Sequence, residues 1–172
     1  MTRGEFDGAS LATRLCAYQE ILACGWDAYL SSIVPGTLGG VFTAAQQTDM
    51  AIEALGIAAG RWAAKPNARP KRASAGASVA SMKATMQDGR DPVRPGMVES
   101  LTESMHGAYR DIGSNLDLER DVRLVFVPLQ LAAMRTGAVR AFAAVMPRAS
   151  AQETLDQHLR EHLPPGVSWL NS

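Results

Sequence analysis

Residues 122–146 read VRLVFVPLQLAAMRTGAVRAFAAVM, with Arg123, Arg135 and Arg140 as their only charges. Apolar side chains fall on nearly every side of a helical wheel, and a helix that is apolar all round has to be enclosed by protein or lipid. The run therefore predicts the largely buried central element of an all-α domain. Asp117, Glu119 and Asp121 suit the positive end of a helix dipole, which extends the expected helix to about 117–146. Pro128 lies well inside it. It removes one backbone hydrogen bond and crowds the preceding turn, so a kink or a break is expected there. A short strand over 123–127 is the alternative, and Pro147 closes the segment.

Upstream, Leu11, Leu15, Tyr18, Leu22, Trp26, Tyr29 and Ile33 recur every three or four residues, which predicts a helix over 10–33 capped by Ser10 and ended by Val34-Pro35-Gly36. A second helix is expected over 38–64, with Phe42, Met50, Ile52, Leu55 and Trp62 to pack and Gly39, Gly40 and Gly60 to admit a close neighbour. The short connection favours an antiparallel hairpin of the two over 10–64. Residues 65–96 are basic and interrupted by prolines, and read as a linker with a short helix at 79–86. Downstream, Leu101, Met105, Tyr109 and Ile112 mark a helix over 97–112. Ser150 and Glu153 have capping-box spacing for a last helix that stops near Leu163, before the tail at 164–172. The sum is five or six helices in one domain of 172 residues, with blocks 10–64 and 97–163 sharing one core.

Composition supports that class. The apolar fraction of 47% rests on Ala, Leu, Val and Met, which excludes wholesale disorder and favours helix over strand. Net charge is zero, but residues 1–60 carry −4, 61–95 carry +6 and 96–172 carry −2. Lys65, Arg69, Lys71 and Arg72 concentrate the basic charge and are the candidate contacts to phosphate, an anionic surface or an acidic partner. No aromatic residue is interleaved among them to stack bases, so a solvated linker is the preferred reading. Cys16 and Cys24 sit eight residues apart in one helix, ~12 Å along its axis, too far to pair, and read as buried reduced thiols. The uncharged run at 28–48 carries too many polar residues, glycines and a proline for a membrane helix. A cytoplasmic protein with no span is expected.

Two histidine motifs carry the candidate chemistry. His158 and His162 stand at i and i+4 on one helix face and can hold one divalent metal through two imidazoles. The string His158-Leu159-Arg160-Glu161-His162 resembles the H-x-x-E-H signature of the inverted zinc peptidases, whose Glu is the base. That family also needs a ligand far downstream on another helix, and only ten residues follow His162, so a peptidase is not expected. Glu103 and His106 form one E-x-x-H unit, half of the duplicated set a di-iron bundle requires. A mixed site of His106, His158 and His162 with Glu103 is the metal-binding alternative. No nucleophile elbow or phosphate loop is present. The preferred expectation is a non-enzymatic helical protein that binds another protein or pairs with itself, with no cofactor. A third reading is an amphipathic coat on a lipid or polymer surface.

Overall fold

In a computed structural model the described residues are 8–34, 43–64, 97–114 and 125–167. They form five helices and no strand: α1 (Leu11–Ile33), α2 (Ala44–Ala64), α3 (Met97–Ser114), α4 (Phe126–Phe142) and α5 (Arg148–His162). The all-α bundle is as the periodicity requires. Residues 65–96, with the expected short helix at 79–86 and Lys65, Arg69, Lys71 and Arg72, lie outside the described set.

Helix starts follow local chemistry. Ser10 caps α1, its Oγ accepting from the Thr13 amide at 3.3 Å. Among the described residues a capping box stands at the head of α2. There the Thr43 hydroxyl accepts from the Gln46 amide at 3.3 Å and the Gln46 Oε1 accepts from the Thr43 amide at 3.0 Å. This corrects the expected box at Ser150 and Glu153. Pro147, extended at φ −56° and ψ 135°, leads straight into α5, so Ser150 already lies inside the first turn.

Pro128 is the third residue of α4 rather than an interior one. Amides of a first turn have no helical acceptor, so a proline there removes nothing. Phe126 and Val127 are helical, which replaces the strand alternative at its described end, and 115–124 lie outside the described residues. The helix ends at Phe142, four residues short of Met146, and Ala143, Ala144 and Val145 turn outward into solvent.

Within α4 the expected enclosure is complete over most of its length. Leu131, Ala133, Met134, Ala138 and Phe142 are buried, and so is the polar Gln130. Close approach to α1 is possible because the contact residues are small. A Cβ on Gly137 would stand 2.5 Å from both the Ala23 carbonyl oxygen and the Trp26 Cβ. Tyr18 and Leu15 meet Phe126 and Leu129 near the start of α4, and Trp26 meets Gly137 further along, so α1 and α4 run in the same sense. Helix α5 folds back on α4, where Arg135 grips Asp156 through Nε at 2.6 Å and Nη2 at 2.9 Å.

The expected 10–64 hairpin is not a packed pair: α1 lies chiefly on α4, whereas α2 lies on α3 and α5. A short connection limits how far apart two helices can start, but burial decides which faces meet. Helix α4, buried over most of its length, takes α1 as its main partner. One core runs through all five helices. Its aromatic centre joins Trp26 to Tyr109 (centroids 4.7 Å apart), Tyr109 to Trp62 (4.9 Å) and Trp62 to Phe126 (5.7 Å).

The cysteines correct the sequence reading. Both are exposed and free, because Tyr18, Leu22, Trp26 and Leu30 set the buried stripe of α1 and the thiols fall off it. Cys24 stands beside charge, with its Sγ 3.5 Å from Glu20 Oε1 and 3.8 Å from Arg140 Nη1. No helix of the described residues is long and apolar enough to cross a membrane.

Candidate metal centre

The last turn of α5 presents its polar side chains under a simple constraint. Ala151, Leu155 and Leu159 are wholly buried and fix which face of the helix turns inward. His158 and His162 flank that face and are half-buried, while Glu161 between them is exposed. One imidazole nitrogen from each histidine and one Glu161 carboxylate oxygen lie within 4.8 Å of one another. The His158 Nδ1 is 4.0 Å from Glu161 Oε2, with the two side chains 32% and 54% exposed. A donor set that reaches water can take up an ion without the fold opening. The other carboxylate oxygen, Glu161 Oε1, accepts from Gln157 Nε2 at 3.2 Å, which steadies the group.

The backbone behind this turn is held at close range by α2. A Cβ on Gly56 would lie 3.0 Å from the His158 carbonyl oxygen and 2.9 Å from His162 Cδ2, and one on Gly60 would overlap the His162 carbonyl oxygen. A side chain at Gly60 would collide with the α5 backbone, whereas one at Gly56 would require its neighbours to shift by a few tenths of an ångström.

Glu103 and His106 are placed elsewhere, on α3. The Glu103 carboxylate pairs with Arg61 of α2. The His106 Nδ1 lies 3.4 Å from the Ala58 carbonyl oxygen, also on α2. Burial, the largest influence, holds the His106 imidazole below its ordinary 6.5, with the hydrogen bond to Ala58 opposing it. Helices α3 and α5 each pack on α2 and are not a packed pair with one another. Among the described residues the group with metal-ligand spacing is His158, Glu161 and His162, without His106 or Glu103. Glu161 stands in the H-x-x-E-H string where that motif has its base, and only the geometry shows it beside both imidazoles. Gly56 and Gly60 are four residues apart in the sequence, but spacing alone does not say what they face.

Two imidazoles and one carboxylate are the donors that suit zinc, nickel, copper(II) or iron(II), whereas magnesium and calcium prefer shells made of oxygen. No protein-family model, curated protein or solved structure matches this chain.

Proposed function

We propose that this protein is a helical bundle that binds one divalent transition-metal ion through His158, Glu161 and His162. The single observation that supports the reading is the approach of their three donor atoms to within 4.8 Å of one another. Donors each about 2.1 Å from a tetrahedral ion stand about 3.4 Å apart, so modest side-chain rotations close the set. Three protein ligands leave a coordination position for water or for a donor on another molecule. A bound zinc ion would supply Lewis acidity at that position. Calorimetric titration of zinc into untagged, chelator-treated protein is expected to give one ion per chain. Replacing His158 and His162 together with Gln is expected to weaken binding by about 100-fold or more with the helix content unchanged. Replacing Glu103 and His106 should leave the affinity as it was. Equal zinc affinity in the wild type and the His158/His162 variant would sink the proposal.

A second reading, binding to another protein or to a second copy, draws on the apolar side chains left in water. Leu11 (45% exposed) and Ile21 (53%) lie on α1, and Val125 (42%) and Val145 (38%) flank the two ends of α4. Sedimentation over a range of concentrations reads the self-pairing version, with Ile21→Asp expected to shift the population toward the single chain. A mass that stays at one chain throughout overturns it.

A further inference from the structure

The two histidines of the ligand set are also among the residues at which α5 comes closest to α2. Gly56 faces the His158 carbonyl and the His162 ring, and Gly60 faces the His162 carbonyl. Contacts one turn apart on one helix match contacts one turn apart on the other. Both helices therefore run in the same sense here, and the end of α5 lies in a notch cut by the missing side chains of α2. The same turn supplies all three donors, at i, i+3 and i+4. Such a set closes on one ion only while the turn between its members is helical.

Within α5 that turn is held by helical hydrogen bonds, by Gln157 on Glu161 and by the buried Leu159, but it is also the end of the helix. The last four carbonyls of a helix have no intrahelical partner, and here the Leu163 amide closes on Leu159 at 3.0 Å before Pro164 and Pro165 end the pattern. A helix of 15 residues is marginal in water by itself. Close contact with the α2 backbone adds to that support.

We infer that ion binding and the docking of the last turn of α5 into the Gly56/Gly60 notch are one coupled equilibrium, in which the metal acts as a clasp fixing α5 on α2. The inference rests on the metal reading of His158, Glu161 and His162. Linkage makes the coupling reciprocal: whatever seats the turn raises affinity for the ion, and the ion raises the cost of opening the turn. Neither glycine touches the ion, so both act as positioning residues.

The test is a zinc titration of the full chain, followed by calorimetry and by amide hydrogen exchange. In the wild type, excess zinc is expected to slow exchange both in the last turn of α5 and in α2 around Gly56 and Gly60. Gly60→Ala keeps all three ligands and is expected to bind zinc about tenfold more weakly. Gly56→Ala, whose added methyl meets its neighbours less severely, should lose less affinity and serves if the first variant fails to fold. Zinc binding in the wild type with unchanged affinity in a folded glycine variant would overturn the coupling and leave the metal site standing. Protection confined to α5, with no slowing in α2, would also overturn it. A wild type that binds no zinc would remove the metal reading itself, and the clasp with it.

Discussion

The His106 imidazole exchanges part of its hydration for a place between α3 and α2, and burial depresses its pKa below the ordinary 6.5. The charged neighbours act in both directions, Arg110 and Arg61 lowering it further and Glu103 raising it. The folded protein thus takes up this proton less readily than the unfolded chain. The stability linked to His106 is present in full above about pH 6.5 and is lost as pH falls through the depressed folded value. Urea unfolding at pH 7.5 and at pH 5.5 should show a smaller acid loss in His106→Gln than in the wild type. An identical loss in both proteins would remove His106 from the account. Deeper in the core, the Trp26 indole nitrogen, the Tyr109 hydroxyl and both amide atoms of Gln130 lack hydrogen-bond partners among the described residues. Burial drives the Tyr109 phenol well above its ordinary value and keeps it neutral. Groups of this kind each cost about 1–3 kcal/mol, so the aromatic centre holds together on packing rather than on polar satisfaction.

At the scale of the element, α4 is buried over most of its length, and its side chains test how much that burial contributes. Leu131 and Phe142 are both 0% exposed and sit three turns apart on the helix. Leu131→Ala is expected to cost roughly 2–5 kcal/mol and Phe142→Ala roughly 3–5 kcal/mol in chemical denaturation. Losses under about 1 kcal/mol at both positions would mean that α4 is not the core helix its pattern implies. Element existence was legible in the sequence, because Tyr18, Leu22 and Trp26 or Leu101, Met105 and Tyr109 repeat at helical spacing whatever packs on them. Element ends were less so. Ser10 and Thr43 cap their helices, yet Ser150 has the same side-chain chemistry and does not. A cap is chosen by the backbone conformation around it, and the competing proline at 147 sets that conformation for α5.

At the scale of the molecule, the order of helices along the chain does not determine which of them meet. The sequence by itself determined the class, the positions of five amphipathic or apolar segments and the His158/His162 pair, since each depends on spacings within a turn or two. Tertiary structure alone decided that α1 lies on α4 rather than on α2, that Cys16 and Cys24 face water, and that His106 and Glu103 stay apart from the other histidines. It also turned Gly56 and Gly60 into the seat of the ligand-bearing turn. The physical reason is one of range. Helical periodicity is a local property of the backbone, whereas partner choice follows from which distant surfaces hide the most apolar area at the closest approach, and no stretch of chain holds both surfaces at once.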